Sequence, residues 1–391
     1  MNIAFFCIPA HGHTNPTLAV VRELTARGHT VRYYTTEAFR AKVEAAGAVF
    51  VPFDAEAARP GMTAADGARL GSDLAFSTKL IVDLTLAADD WLSRELTVHR
   101  PDVIVGDSMA FWAKLAAKKH GIPFVSSTTT FAFNRFSAKV IGQNGAGFLQ
   151  FLLAQPRINR QLKRLRAAGY AVKSVFDIIA NDNETETVVY TSPDFQPCAD
   201  TFSENYHFVG PLLRPAQSSF EKLPGRSLIY ISLGTVNNDA LPFYRACLAA
   251  FGGDPRFQLV LSAGTQADLA AFGPIPENCT VRASVDQMAV LDCADVFLTH
   301  CGMNSASEGL WHGLPLVLYP QTPEQHGVAN RVAALGAGVP LTDPSADGIR
   351  RAVEAALTDP AYRENAQKLA GGFRRCGGAA EAADAIEHAA N

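Results

Sequence analysis

The residues best placed to do chemistry lie in one short stretch, residues 296–331. A short apolar, β-prone run is followed by a polar turn that contains His300 and Gly302, with Asn304 and Ser305 at the predicted start of a helix. The N–H groups and dipole of a helix start attract an anion. His300 adds a positive or hydrogen-bonding group, and Gly302 lets the backbone come close. The spacing predicts a diphosphate site at the carboxyl end of a strand.

Acceptors for hydroxyl groups are spaced behind this turn. Glu308 lies one helical turn further on, where its carboxylate could accept from two ribose hydroxyls. Glu324 and Gln325 follow the next predicted strand, residues 316–319, and could hold sugar hydroxyls. Groups for phosphate, ribose and sugar in this order predict a nucleotide-sugar site. Taken singly, each of these residues could equally be an ordinary turn or surface residue of an α/β domain.

A histidine near the start of the chain is a candidate general base. The apolar run 3–8 predicts a buried parallel strand, and His13 lies where this strand meets the next helix. We expect Thr14 or Asn15 to cap that helix and Pro16 to be its first residue. A neutral imidazole at such a strand end can take a proton from an acceptor hydroxyl.

A carboxylate is predicted at the same edge of the sheet. The strand predicted at 103–105 ends at Asp107. Its carboxylate could bind one ring nitrogen of His13 and stabilise the imidazolium formed on proton transfer. Two alternatives stay open. His11 could be the base instead, and His13 and Asp107 could each simply cap a helix.

The stretch 296–331, together with residues 12–16 (GHTNP), resembles the UDP-glycosyltransferases of the GT-B fold, in their bacterial macrolide and flavonoid branch. The resemblance implies an inverting transfer with His13 as general base, held by Asp107. It also implies that the acceptor oxygen attacks the anomeric carbon from the face opposite the nucleotide. An α-linked donor would then give a β-glycoside.

The resemblance implies further contacts to the donor. Ser232 and Thr235 belong to an SxGT-like turn of the kind that lines the donor site, and Gln287 matches the family's glutamine near the base. Ser284 stands where plant relatives have the tryptophan that stacks on uracil, so this stacking contact is in doubt.

The donor is predicted to be UDP-glucose. Glu308 should prefer a ribose to a 2′-deoxyribose, and hence UDP to TDP. The pair Glu324–Gln325 resembles the acidic residue and glutamine that fit glucose in relatives. A TDP-deoxysugar is the nearest rival. The sequence has no evident DxD motif, so we expect neither a metal nor another cofactor.

The acceptor is predicted to be an apolar, hydroxylated small molecule such as a flavonoid, a phenolic or a macrolide. The segment 128–153 departs from the strand–helix rhythm and is rich in phenylalanine. Its five rings are either core residues or an apolar wall for the acceptor; they belong to Phe131, Phe133, Phe136, Phe148 and Phe151.

The fold class predicted is α/β, with two Rossmann-like domains facing across a cleft and a C-terminal helix that crosses back to the N-terminal domain. A chain of 391 residues suits two domains of about 150–200 residues. We place an acceptor-binding domain at 1–209, a Pro- and Gly-rich linker at 210–225, a nucleotide-sugar domain at 226–372 and the last helix at 373–391.

Composition excludes several classes of protein. A net charge of −4 with no basic run gives no support to nucleic-acid binding. The seven cysteines are scattered and form no CxxC pair, which favours a reducing, cytoplasmic setting and no structural zinc. No apolar run approaches the 18 residues that a membrane span needs, and the first residues lack the basic region of a signal peptide.

Two other classes share parts of the pattern. A nucleotide-sugar epimerase would use the same donor site without an acceptor, and a non-catalytic nucleotide-sugar binder would not need His13. The GHTNP sequence at 12–16 and the phenylalanine-rich segment argue against the epimerase.

Overall fold

The computed structural model describes residues 1–53, 73–137, 147–181, 183–234 and 240–391. These residues fall into two compact units. Unit 1 comprises residues 1–191, 198–212 and 377–391, and unit 2 comprises residues 192–197 and 213–376. Each unit is built on one parallel sheet, which confirms the predicted fold class.

Unit 1 alternates strands and helices. Its strands are β1 (Asn2–Phe6), β2 (Thr30–Thr35), β3 (Val49–Pro52), β4 (Val103–Asp107), β5 (Phe124–Thr128), β6 (Glu186–Val189) and β7 (Tyr206–Phe208). Its helices are α1 (His11–Ala26), α2 (Arg40–Ala45), α3 (Leu74–His99), α4 (Phe111–His120), α5 (Gly147–Ala167) and α6 (Phe176–Ile179), with a last helix from the chain end. The sequence pattern also predicts helices over 62–97, and the part of this range before residue 73 lies outside the described residues.

The sheet of unit 1 has the strand order β3-β2-β1-β4-β5-β6-β7, and all its pairs are parallel. The order reverses between β1 and β4, and a ligand crevice opens at the carboxyl ends of strands at such a reversal. Every residue of β4 is buried, as a central strand covered on both faces requires.

Unit 2 repeats this arrangement. Its strands are β8 (Ser227–Ser232), β9 (Phe257–Ser262), β10 (Cys279–Arg282), β11 (Val296–Thr299), β12 (Leu316–Leu318) and β13 (Gly338–Pro340). Its helices are α7 (Leu241–Phe251), α8 (Gln287–Leu291), α9 (Met303–Trp311), α10 (Pro323–Ala334), α11 (Ala346–Thr358) and α12 (Pro360–Arg374). The parallel order β10-β9-β8-β11-β12-β13 reverses between β8 and β11.

The last helix, α13 (Gly378–Ala389), packs on unit 1, as the predicted fold class requires. Its buried face consists of three alanines and Ile386, and this face joins the core cluster that contains residues of β1 and β4. Small side chains let the helix approach closely. Arg27 of α1 donates hydrogen bonds to Asp384 at 2.6 Å and to Glu387 at 3.0 Å.

A short segment of the N-terminal half belongs to unit 2, which differs from the predicted boundary at residue 209. Residues 192–197 are held by Arg331 of α10, whose guanidinium donates to the backbone oxygens of Phe195 and Asp194, both at 2.9 Å. The Phe195 ring is fully buried and packs edge-on against Phe373 at 5.7 Å between centroids. The segment 192–197 is too short to show a periodic sequence pattern, so its place in unit 2 could be found only from these tertiary contacts.

Candidate functional site

A first candidate site lies where the strand order of unit 1 reverses. Because β1 and β4 are neighbours, with Phe6 paired to Gly106, the residues that follow their carboxyl ends come together. His13 Nδ1 lies 2.7 Å from Asp107 Oδ2, and Asp107 is buried. A carboxylate can only accept, so Nδ1 carries the proton and Nε2 is the basic nitrogen of the neutral ring.

Two further groups fix this pair. The backbone N–H of Met109 donates to Asp107 Oδ1 at 2.8 Å, which holds the carboxylate from its other side. Thr129 follows β5, the neighbour of β4, and its hydroxyl oxygen lies 3.0 Å from His13 Nδ1. Sequence reasoning missed Thr129, although the rule that pointed to Asp107, a polar residue at a strand's carboxyl end, applies equally to it.

The helix that carries His13 starts earlier than predicted. It begins at His11, with Ala10 as N-cap, so Thr14 is no cap and Pro16 lies inside the helix. The N–H groups of His13 and Thr14 both bond to the carbonyl oxygen of Ala10, which commits the chain to a turn before the proline. His13 therefore projects from the first helical turn, which fixes its direction more firmly than a loop would.

The rival base, His11, has a different environment. It is exposed, and its Nδ1 lies 3.4 Å from the Lys42 ammonium. Partial burial and the charge of Lys42 both lower the pKa of His11. In the described structure it is His13, not His11, that is hydrogen-bonded to Asp107.

A second candidate site lies in unit 2, where the strand order reverses between β8 and β11. Ser232 and Thr299 are paired at the ends of these strands, and His300 follows directly. A Cβ on Gly234 would lie 2.6 Å from Cε1 of His300, and one on Gly302 would lie 2.6 Å from its Nε2. The imidazole therefore lies close against the backbone of two glycines. Any other residue at either position would displace the ring.

The imidazole of His300 is neutral. Burial lowers the pKa of His300 to about 4, and its Nδ1 is buried with no hydrogen-bond partner in the described part of the chain. Of the two roles left open for His300, a positive group or a hydrogen-bonding group, this environment favours the second at neutral pH.

Asn304 and Ser305 lie in the first turn of α9. The N-cap of this helix is Gly302, which supplies no side-chain cap. The first-turn N–H groups of a helix have no intrahelical partner, and the helix dipole adds a partial positive charge at the same place. The arrangement is suited to receiving an anion such as a diphosphate.

Glu308 lies one turn further along α9 and meets Gln287. The Gln287 side-chain amide donates to Glu308 Oε2, and burial raises the pKa of the Glu308 carboxyl. The structure therefore brings together Glu308, which was predicted to bind the ribose, and Gln287, which was predicted to lie near the nucleotide's uracil base. Ser284, in the position of the plant tryptophan, is exposed and offers no ring to stack on.

The remaining predicted donor residues are placed as follows. Ser232 is buried, and its hydroxyl accepts from the backbone N–H of Gly234 at 3.3 Å. Thr235 lies outside the described residues. Glu324 is exposed in the first turn of α10. Gln325 forms a capping box with Thr322, and its side-chain oxygen also accepts from the backbone N–H of Gln321 at 2.7 Å.

The capping box gives Gln325 a structural reason that sequence reasoning did not weigh. A glutamine three residues after a threonine N-cap satisfies two helix-terminal donors. Its side-chain oxygen is already used, so a ligand could receive a hydrogen bond only from the amide nitrogen.

The phenylalanines predicted to face the acceptor divide into two groups. Phe131 is buried, as in the core interpretation, whereas Phe133 and Phe136 are exposed. Met109, two residues after Asp107, is exposed as well. The side chains of Phe148 and Phe151 lie outside the described residues. Exposed apolar side chains of this kind suit an apolar ligand.

Among the described residues there is no cluster of three or more His, Cys, Asp or Glu side chains that could hold a metal ion. Within the same part of the chain, no helix is both long and apolar enough to cross a membrane.

The low pKa of His300 predicts a pH-dependent stability. Between pH 6.5 and 4, His300 is protonated in the unfolded chain but not in the folded state. Acidification over this range should therefore lower the free energy of unfolding by up to about 3 kcal/mol through this residue. As the pH is lowered, the free energy of unfolding should therefore fall less steeply in His300→Asn than in the wild type. Urea titrations at several pH values would measure this. His326→Asn, at an exposed position, is the control, and parallel curves for all three proteins would contradict the prediction.

Comparison with known proteins gives a consistent result. Residues 257–385 match the family described as erythromycin biosynthesis protein CIII-like, C-terminal domain. The chain is 33% identical to the NDP-glycosyltransferase YjiC of Bacillus licheniformis, over 99% of the chain and 97% of that protein. It is 34% identical to demethyllactenocin mycarosyltransferase of Streptomyces fradiae, over 99% of the chain and 86% of that protein. Among solved structures, the glycotransferase of kitacinnamycin superposes with a TM-score of 0.85 at 31% identity, covering 99% of this chain and 98% of the other.

Proposed function

As the chain belongs to the GT-B family of natural-product glycosyltransferases, we propose that it transfers glucose from UDP-glucose to a hydroxyl group of an apolar small molecule. The observation that carries the proposal is the 2.7 Å hydrogen bond between His13 Nδ1 and Asp107 Oδ2. It supports a ring whose Nε2 is basic, as removal of a proton from an acceptor hydroxyl requires.

The proposed reaction is a single displacement with inversion. The acceptor oxygen attacks the anomeric carbon from the face opposite the nucleotide, and its proton passes to Nε2 of His13. The bond between the anomeric carbon and the diphosphate oxygen breaks, and its electron pair leaves with the diphosphate. Asp107 stabilises the imidazolium that forms, and an α-linked donor gives a β-glycoside.

The leaving diphosphate is received by His300 and by the start of α9, where Asn304 and Ser305 lie. The imidazole is neutral because of its low pKa and so carries one N–H, which we assign to the diphosphate. Donors fixed in advance by the fold stabilise developing charge without reorganising. We therefore propose that transfer needs no metal ion.

The donor's hydroxyl groups are assigned to carboxylates and amides. Glu308 accepts from the ribose, which favours UDP over TDP. Glu324 accepts from hexose hydroxyls, and the Gln325 amide nitrogen donates to one, because its oxygen serves the capping box. A TDP-deoxysugar, the second candidate, would offer fewer hydroxyls to this set.

The acceptor is proposed to be a flavonoid, a simple phenol or a macrolide. The exposed side chains of Met109, Phe133 and Phe136 support an apolar partner. Apolar side chains with a few placed polar groups are the usual lining of small-molecule sites.

A crossed transfer assay tests the proposal. UDP-glucose, UDP-galactose, UDP-N-acetylglucosamine and TDP-glucose would each be paired with a flavonoid, a phenol and a macrolide, and hexose adducts would be detected by mass spectrometry. We expect the largest yield with UDP-glucose. Preference for TDP-glucose would favour the second candidate. UDP binding without any adduct would favour an epimerase or a binding protein, and interconversion of UDP-glucose and UDP-galactose would separate these two.

Metal independence is tested in the same assay. The initial rate with and without a strong chelator should be equal, because the diphosphate is stabilised by the protein's own donors. Inhibition by the chelator that is reversed by added Mg²⁺ or Mn²⁺ would contradict this.

A further inference from the structure

Tyr230 lies in the middle of β8, in the unit that contains the residues assigned to the donor. Its ring is 1% exposed and stacks on Phe297 of β11, with centroids 4.9 Å apart. Burial raises the pKa of the hydroxyl, so Tyr230 is neutral and its O–H proton is available to donate. A buried tyrosine hydroxyl normally has a hydrogen-bond partner, and the identity of this partner is informative.

The hydroxyl is hydrogen-bonded to the side chains of Ser232 and Ser262, and its own proton goes to the amide of Gln287. The Tyr230 hydroxyl donates to Gln287 Oε1 at 2.9 Å, and Gln287 Nε2 donates to Glu308 Oε2. The direction of this chain follows from chemistry. The amide nitrogen lies on Glu308, so the amide oxygen faces the tyrosine, and because an amide oxygen only accepts, the tyrosine hydroxyl must donate.

This chain of hydrogen bonds fixes the orientation of the Glu308 carboxylate. With Oε2 held by Gln287, Glu308 cannot rotate freely about its terminal bond, and Oε1 has a fixed direction. Without the Tyr230 hydroxyl, the Gln287 amide could turn over and present its oxygen to Glu308. Two oxygens would then face each other, and the carboxylate would move or protonate.

We propose that Tyr230 is a positioning residue for ribose recognition, which acts through Gln287 to fix the orientation of Glu308. The inference rests on the proposed function insofar as Glu308 binds the ribose of the donor. Tyr230 itself touches neither the sugar nor the nucleotide in this assignment. It selects ribonucleotides at a distance, by setting which way one amide faces.

The test compares UDP with 2′-deoxy-UDP and 3′-deoxy-UDP by calorimetry. Tyr230→Phe keeps the ring and its stacking on Phe297 but removes the hydroxyl. We expect its affinity for UDP to fall by about 3- to 10-fold, the worth of one hydrogen bond between neutral groups. Affinity for the deoxynucleotides should fall less, so the preference for UDP should shrink.

The matched control is Tyr244→Phe. Tyr244 is a buried tyrosine of the same unit, and its hydroxyl has no hydrogen-bond partner in the described part of the chain. This substitution should leave the three affinities unchanged. Thermal melting of each variant shows that it is folded.

A double-mutant cycle tests the route of the effect. Gln287→Met removes the amide at nearly constant length and should reproduce the loss. Adding Tyr230→Phe to Gln287→Met should then have no further effect on the affinity for UDP. Additive losses would overturn the inference, because Tyr230 would then act without Gln287.

Two other outcomes distinguish a failure of the positioning role of Tyr230 from a failure of the proposed function on which it rests. An equal loss for all three nucleotides in Tyr230→Phe would overturn the positioning role and leave the ribose assignment standing. A wild type that binds the three nucleotides equally would refute both, whereas transfer in the crossed assay would still stand.

Discussion

Replacing His13 with alanine should reduce the rate of transfer to a hydroxyl acceptor by about 10²- to 10⁴-fold, the usual worth of a general base. Nδ1 of His13 is 2.7 Å from buried Asp107, so the variant loses both the base and the group that the carboxylate stabilises. The affinity for UDP should be unchanged, since the residues assigned to the nucleotide belong to unit 2. Initial rates by mass spectrometry and UDP titration by calorimetry would measure the two quantities separately.

The neighbouring histidine provides the matched control. His11→Ala removes an exposed imidazole two residues away, at the first position of α1. It should retain nearly full activity, because it is not hydrogen-bonded to Asp107 in the described structure. If His11→Ala were inactive and His13→Ala active, the base would be His11. If both were active, the proposed base mechanism would fail.

Replacing Gly234 with alanine should cost about 10²-fold or more in transfer rate and weaken UDP binding with it. The new methyl carbon would lie 2.6 Å from Cε1 of His300, closer than atoms can approach. Gly302 also lies against this ring, which leaves the imidazole little room to move. His300 must therefore leave its place, and loss of one fixed donor to developing charge typically costs about 10²- to 10³-fold.

Gly253→Ala separates this effect from backbone strain. Both glycines have positive φ, +81° at Gly234 and +77° at Gly253, so alanine is strained at either one. Nothing lies within 4 Å of a Cβ at Gly253, however. This variant should lose about 1 kcal/mol of stability and keep its activity. Equal losses of activity in the two variants would show that strain, not His300, is responsible.

Much of the fold follows from patterns that short segments carry. Buried parallel strands such as β4 and β11 read as continuous apolar runs, and the helices between them end at glycines such as Gly121 and Gly313. Since carboxyl ends of parallel strands meet at one edge, the meeting of His13 with Asp107 could be predicted from two distant positions in the sequence.

What the sequence did not reveal depends on contacts across the fold. The start of α1 at His11 defies the usual preference of proline for the first turn, because backbone bonds to Ala10 are made before Pro16 is reached. Tyr230 looks like any apolar strand residue until Gln287 is seen at its hydroxyl. Thr129 likewise gains its meaning only from the histidine beside it.

The anchoring of residues 192–197 by Arg331 bears on how such enzymes can be recombined. A fragment that begins at residue 213 would lack Phe195 and the carbonyl oxygens that Arg331 binds, and one that ends at residue 212 would lack α13. Neither unit is therefore a single continuous piece of chain. Exchanging unit 2 between relatives therefore calls for transplanting residues 192–197 together with residues 213–376, while the recipient keeps its own residues 377–391.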